Sequence, residues 1–403
     1  MSKGNVLIGQ SGGPTSVINS SLAGVVDAAR KSDRIGRVFG MRFGIEGVLN
    51  DYLVDLGSES PEVLNGLRTT PGSALGSSRL KLKDEHFPAV LKQLQKYDIR
   101  YYFMIGGNDT MDTIHRVTMY ANENGHEMTG VGVPKTVDND LHGTDHTPGY
   151  PSAARYVALS VLQAGILARD MQKVDQFVIY QSIGRSAGWL PAAAACAHAT
   201  NKTPPHVLLL PERTFERDKF LSAVAEAHKA FGFVSIVCGE GITYADGTPV
   251  SVSQTRDKFG NVEFGAMGGT SAAMMLHRLI CDEFGWRGEF QVTESLPMCS
   301  ADRGVKLDFD EAFACGQQAV KLATTGVGGV MVTMNRRNQP RDKYEIDFGT
   351  ISLSEVANHE RPMPDSFITS DGFGVTDAFL DYVSPLIGEL PTYATLVANR
   401  ATP

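Results

Sequence analysis

The chain of 403 residues is long enough to bury a large core and is expected to divide into two domains. Hydrophobic residues make up 42%, charged residues 20%, and there are 42 glycines, which excludes general disorder and marks a globular protein rich in tight turns. The net charge of −8 argues against a nucleic-acid or anionic-membrane partner, and five scattered cysteines, without a C-x-x-C pair or metal-spaced histidines, indicate neither a disulfide framework nor a zinc site.

No uncharged apolar run approaches the ~20 residues of a membrane span, and the first residues run into a strand without a signal segment, so a soluble cytoplasmic protein is expected. That strand, NVLIG (5–9), ends in the loop QSGGPTS (10–16), and a helical pattern follows over 17–32. RVFGMRF (37–43) reads as the next strand, and the basic cluster RLKLK (79–83) as a solvated face. YYFMI (101–105) leads into GGNDT (106–110) and a helix; TGVGV (129–133) leads into PKTVDNDLHGTDHTPGY (134–150) and a long amphipathic helix. A second series follows: a strand with a Gly-Arg loop and small-residue helix (176–199), strand 206–212, helix 217–231, and strand 232–241 ending in a Gly-flanked Glu240. The stretch 250–265 is polar and turn-rich, a surface excursion. Helices 269–285 and 308–326, with strands near 289–297 and 329–336, complete the pattern, and the tail from Tyr344 carries mixed signals.

Such alternation calls for βαβ units, hence an α/β, doubly wound fold with a mostly parallel sheet. The expected division is 1–149 plus about 300–343 as one domain, 150–299 as the second, and 344–403 as a C-terminal extension without an assigned packing.

Three strand ends carry loops that suit an anion, and ligands of open α/β sheets sit at such ends. Phosphoryl transfer to a hydroxyl needs donors around the donor phosphates, a cation, and a carboxylate near the attacking oxygen. Gly12, Gly13, Gly106 and Gly107 can cradle phosphates; Lys135, Arg79 and Arg185 can neutralise charge; Asp138 or Asp140 can accept the proton. Each feature also has a plain explanation. Asp138-Asn139-Asp140 fits a self-capping turn, and Asp109 or Thr110 fits a helix N-cap. Arg185 fits a surface ion pair, and Glu240 a structural turn. The case for chemistry rests on their joint occurrence. Neither G-x-G-x-x-G after the first strand nor G-x-x-x-x-G-K-[ST] is present, which removes dehydrogenase and P-loop readings.

GGNDT, PKTVDNDLHGTD, SIGR (182–185) and Glu240 come in the order and rough spacing of the phosphofructokinase family. From about Val6 to Ala323 the chain resembles its pyrophosphate-dependent branch. The resemblance implies two doubly wound domains of the phosphofructokinase type, the first holding the diphosphate and the second the acceptor. ATP-using members carry glycines where this chain has Asp109 and Lys135. A carboxylate at Asp109 repels a nucleotide α-phosphate, while the Lys135 ammonium holds the leaving phosphate, so the implied donor is pyrophosphate bridged by Mg²⁺.

By the same resemblance Asp138 is the general base, supported by Thr136 and Asp140, with Lys135, Asp109 and Arg185 completing the catalytic set. Gly12, Gly13, Arg79, Gly107, Thr110 and Lys135 are implied at the diphosphate. Thr136, Asp138, Ile183, Gly184, Arg185 and Glu240 are implied at the acceptor, and Asn108 with Asp109 at the metal. The default acceptor is fructose 6-phosphate, but Gln176, Glu289, Ser295 and Met298 stand where the family places 6-phosphate-binding cations. Each charge-assisted bond lost there is worth roughly 1.5–3 kcal/mol. Either Arg303 and Lys306 substitute, or the acceptor is another, unphosphorylated sugar or polyol. An NAD-kinase-like or lipid-kinase-like enzyme and a non-catalytic binding protein are the remaining alternatives, and a homo-oligomer, dimer or tetramer, is expected from the family.

Overall fold

The alternating apolar runs assemble into two sheets. The computed structural model describes residues 3–78, 80, 82–197, 204–251, 270–337, 344–357, 359–394 and 396. Its strands in chain order are β1 (Gly4–Gln10), β2 (Ile35–Met41), β3 (Leu53–Asp55), β4 (Ile99–Gly106), β5 (Thr129–Pro134), β6 (Phe177–Ser182), β7 (Val207–Leu209), β8 (Val234–Gly239), β9 (Gly288–Val292), β10 (Val330–Arg336) and β11 (Ile346–Ser352). The larger sheet has seven strands in the order β11-β10-β5-β4-β1-β2-β3; the smaller has four, β7-β8-β6-β9. All pairings are parallel except those of the two outer strands, β3 and β11. This is the doubly wound, mostly parallel architecture read from the sequence.

Strands buried on both faces read as continuous apolar runs, and successive side chains choose opposite faces. Val6 and Ile8 of β1 join Phe103, Ile105, Val131 and Val133 under helices Ile18–Arg30 and Lys306–Thr324. Leu7, Tyr102 and Met104 face the other way, against helices Phe87–Lys96 and Asn108–Glu123. In the smaller sheet Phe177, Ile179, Ile236 and Cys238 pack on helices Arg217–Phe231 and Ala272–Phe284.

Helix Tyr150–Asp170 begins at the end of the central loop and runs beneath the smaller sheet. Its own N-cap is Gly149, with no capping side chain. The cap is supplied from afar: buried Asp308 accepts Gly149 N at 2.8 Å, Ser152 N at 3.1 Å and Ser152 Oγ at 2.6 Å.

The tail, unreadable from periodicity, supplies edge strand β11 and helices Leu353–Val356 and Asp377–Ile387. Phe379, Tyr382, Val383 and Leu386 bury against Tyr150, Trp189 and Leu190, so the chain returns to cover the start of the long helix. The small-residue segment after β6 is helical over Trp189–Ala193 and again over 195–197. The basic cluster at Arg79 and Lys81, and the polar stretch from Val252, fall outside the described residues. Among the described residues no helix is long and apolar enough to cross a membrane.

Helices Ile18–Arg30 and Lys306–Thr324 approach through glycines. A Cβ on Gly24 would lie 2.0 Å from Phe313 O, and one on Gly316 2.2 Å from Ser21 O. Alanine gains about 1 kcal/mol over glycine in a helix, but overpacking against backbone costs about 1–3 kcal/mol. Gly24→Ala is therefore expected to lower the thermal midpoint, whereas Gly66→Ala, with open space at its Cβ, should hold or raise it. Equal midpoints by scanning calorimetry would refute the tight crossing.

Candidate active site

Strands β5, β4 and β1 are neighbours, so their C-terminal loops lie side by side. Backbone and one buried lysine join them. Lys135 N donates to Gly106 O at 3.1 Å, and Lys135 Nζ donates to Gly13 O at 2.7 Å. Gly12 has a left-handed φ of +76°, and a side chain there would press on Lys135 Nζ at 3.1 Å. A Cβ on Gly106 would collide with Thr110 Oγ1 at 2.1 Å, so Thr110 is a buried strut under the loop. Gly107 faces open space apart from Lys135 O at 3.8 Å. Helix Asn108–Glu123 starts there without a side-chain cap, which suits an anion. Asp109 is exposed on its first turn, while the Asn108 amide, oriented to donate, reaches Val356 O at 3.2 Å and His359 O at 3.3 Å.

The carboxylates stand on the next turn of chain. Asp138 N donates to Thr136 Oγ1 at 3.1 Å, and Thr136 also bonds the Asp140 side chain. Between them Asn139 is wholly buried in a left-handed conformation, φ +57°. From the smaller sheet, the loop after β6 brings Ile183, Gly184 and Arg185, and the loop after β8 brings Glu240. The two loops interlock: Glu240 N donates to Ser182 O at 3.1 Å, and any Cβ on Gly241 would strike Arg185 O at 1.7 Å. Arg185 Nε lies 3.8 Å from Glu240 Oε1, and its side chain is 47% exposed.

Charge tuning follows from this enclosure. Burial pushes Asp138 up to about 7, the charges of Asp140 and Glu240 add to the rise, and Lys135 and Arg185 oppose it. Burial pulls Lys135 down to about 8, against the pull of Asp138 and Asp140. Burial also raises Asp140 and Glu240. A carboxylate and an ammonium that both titrate near neutrality in one cleft are fit for proton transfer and anion capture.

The loop is underlain by an ionic network that sequence reading did not select. His146, fully buried, bridges Asp145 Oδ2 at 2.9 Å and Glu311 Oε2 at 2.8 Å. Arg336 Nη2 donates to Asp145 Oδ2 at 2.9 Å, and Tyr344 OH to Glu311 Oε1 at 2.6 Å. Burial disfavours the His146 cation, but Glu311 and Asp145 outweigh it and lift the imidazole to about 9. The histidine sits inside the loop motif itself; only its distant partners were invisible.

Gly12, Gly13, Gly107, Thr110, Lys135, Thr136, Asp138, Asp140, Ile183, Gly184, Arg185 and Glu240 thus occupy the ends of strands from both sheets, and Arg79 is outside the described residues. Of the positions lacking an expected cation, Gln176 accepts Arg287 N at 3.1 Å, Glu289 and Ser295 are exposed, and Met298 packs on Gly13. Arg303 donates to Ser160 Oγ at 2.8 Å and stacks 4.7 Å over Tyr156; Lys306 pairs with Asp310.

The family model described as Phosphofructokinase matches residues 5–296. The pyrophosphate–fructose 6-phosphate 1-phosphotransferase of Methylococcus capsulatus is 38% identical over 419 residues, covering 100% of this chain and 98% of its own. The sulfofructose kinase of Alkalicoccus urumqiensis is 32% identical, covering 90% of this chain and 91% of its own. The crystal structure of the pyrophosphate-dependent phosphofructokinase of Nitrosospira multiformis matches with a TM-score of 0.86 at 35% identity, covering 98% of this chain and 94% of that chain.

The His146 network makes stability depend on pH. Folded His146 holds its proton from the ordinary 6.5 to about 9, so its contribution is complete below pH 6.5 and lost as pH rises toward 9. Asp138 acts between 3.8 and about 7, and Lys135 between about 8 and 10.5. Among these groups the interval from about pH 7 to 8 belongs to His146, and stability should fall there by about 1 kcal/mol. Urea midpoints for the parent and His146→Asn test this: the parent slope should vanish in the variant, and an unchanged slope would assign it elsewhere.

Proposed function

The chain belongs to the phosphofructokinase family, and from that premise we propose that it transfers a phosphoryl group from pyrophosphate to the 1-hydroxyl of fructose 6-phosphate. The observation that carries the reading is the buried pair of Lys135 and Asp138 on one loop, each displaced toward neutrality. Asp138 accepts the hydroxyl proton as that oxygen bonds the transferring phosphorus. The bridging P–O bond breaks, its electron pair leaves with orthophosphate, and the Lys135 ammonium holds that charge. Arg185 neutralises the transferring group, and Glu240 binds acceptor hydroxyls.

Donor choice follows from the same residues. Lys135 fills the space beside Gly12 and Gly13, and the Asp109 carboxylate repels a nucleotide α-phosphate. Magnesium fits this cleft in its usual mode, held mainly by phosphate oxygens and water with one or two protein ligands. Among the described residues no group of three or more His, Cys, Asp or Glu side chains gathers to hold an ion, and exposed Asp109 with Asn108 stands at the open edge of the diphosphate loop. Those two residues would hold the ion, which supplies charge neutralisation of the diphosphate when bound.

The alternative activities draw no support: the Asp138, Lys135 and Arg185 set is intact, which disfavours a non-catalytic role, and the relatives favour sugar phosphorylation over NAD or lipid. Five free cysteines fit a reducing, cytoplasmic setting. Exposed Leu167, Met171, Val174 and Phe290, near edge strand β9, support a homo-oligomer.

Orthophosphate release with Mg²⁺, pyrophosphate and fructose 6-phosphate, beside unphosphorylated sugars and polyols, tests the reading. Turnover of fructose 6-phosphate is expected, with none when ATP replaces pyrophosphate; turnover confined to an unphosphorylated acceptor would overturn the substrate assignment. Asp138→Asn should lower kcat by about 10²–10⁴-fold. The profile of kcat/KM should rise to pH about 7 as Asp138 ionises and fall above about 8 as Lys135 loses its proton. Lys135→Met should retain the acid limb and lose the alkaline one.

A further inference from the structure

The turn that carries both catalytic carboxylates has no regular partner strand for most of its length, so its carbonyls need donors from elsewhere. One arginine of the tail supplies most of them. Arg361 Nη1 donates to Thr144 O at 2.6 Å and Asp145 O at 2.7 Å; Nη2 and Nε donate to Asn139 O at 2.7 and 3.2 Å. Its backbone N donates to Asp140 O at 2.7 Å. The guanidinium lies 4.5 Å over the Trp189 ring, whose Nε1 donates to Arg361 O at 3.1 Å, so the fork is held flat and aimed. Tyr382 acts from the other side. Its OH accepts from Asn139 Nδ2 at 2.8 Å and donates to Asp145 O at 2.8 Å.

We propose that Arg361 and Tyr382 are positioning residues that lock Asn139 in its left-handed state and so set the aim of Asp138 and Asp140; the catalytic part of this inference rests on the function proposed above. Asn139 has its amide oxygen on Thr147 N at 3.1 Å, its amide nitrogen on Tyr382, and its carbonyl on Arg361. Few residue types adopt a positive φ, and asparagine does so more readily than most. With the carbonyl and both amide atoms of Asn139 committed, rotation of that residue would break bonds to two separate segments of the tail. Because Asn139 stands between Asp138 and Asp140, any such rotation would swing the two carboxylates apart. The requirement is for a planar fork rather than a charge: lysine carries its three donors on one nitrogen and lacks the separate atoms that hold Asn139 O while Nη1 holds Thr144 O and Asp145 O.

The test uses the full-length protein with Tyr382→Phe, Arg361→Lys and the double variant. Tyr382→Phe keeps the ring that packs against Trp189, Phe367 and Phe379 while deleting both hydrogen bonds. Hydrogen exchange of the segment 134–148, which does not depend on turnover, should speed up in both single variants while strands β1 and β4 remain protected. Misaim of a reacting group by about 1 Å costs on the order of 10²-fold, so kcat should fall by about 10–100-fold with the pyrophosphate KM held within about 3-fold. Because both residues act on one turn, the double variant should lose less than the product of the single losses. Parental exchange in the segment, or parental kcat in folded Tyr382→Phe and Arg361→Lys, overturns the proposal. Absence of turnover in the parent protein would sink the functional reading instead, and the exchange comparison would still decide the clamp.

Discussion

The bond from the buried ammonium of Lys135 to the carbonyl of Gly13 is the constraint on which the site depends. It ties the loop of β5 to that of β1 across the intervening β4, and it places a cation where a diphosphate would need one. The same ammonium also lowers the cost of burying Asp138, where it joins Arg185 against the negative charges of Asp140 and Glu240. The two groups hold each other close to neutrality: burial drives both toward their uncharged forms, and mutual attraction draws both back. On the proposed function, the protein keeps a lysine in its interior because that lysine completes a cradle and poises a base.

Helix Lys306–Thr324 makes the second connection. On one face it meets helix Ile18–Arg30 through Gly24 and Gly316, so closely that neither position has room for a side chain. On another, its buried Asp308 caps the long helix that enters the smaller sheet, and its Glu311 pairs with His146 beneath the carboxylate loop. A shift of this one helix would therefore disturb the larger core, the start of the long helix and the loop together. The cap on the long helix is remote, and the rigidity between the sheets is a matter of tertiary packing rather than of local propensity.

Much of this was legible in the sequence because the signals are local. Apolar runs such as YYFMI mark strands buried on both faces, and the glycine, lysine and aspartate clusters behind them mark the ends where ligands bind. What could not be read were groups whose meaning lies in distant partners. His146 belongs to the central motif, yet only the fold shows that Glu311 reaches it. Arg361 and Tyr382 lie in a tail without clear period, and no spacing rule says which carbonyl a guanidinium will satisfy. Met298 shows the converse: counted from the motifs, it stands at an expected phosphate contact, but its thioether rests against Gly13 and joins the apolar packing around Ile183 and Leu307.

The donors that hold the carboxylate turn arrive late in the polypeptide: Arg361 follows Asn139 by 222 positions and Tyr382 follows it by 243. Strand β10, which pairs with the outer side of β5, also comes after the whole of the smaller sheet. During synthesis from the N-terminus, β5 waits with one edge bare, and its loop waits without its fork, while about half of the 403 residues are added. On the proposed function, a nascent chain therefore gathers Lys135 and Asp138 well before Arg361 and Tyr382 can aim them.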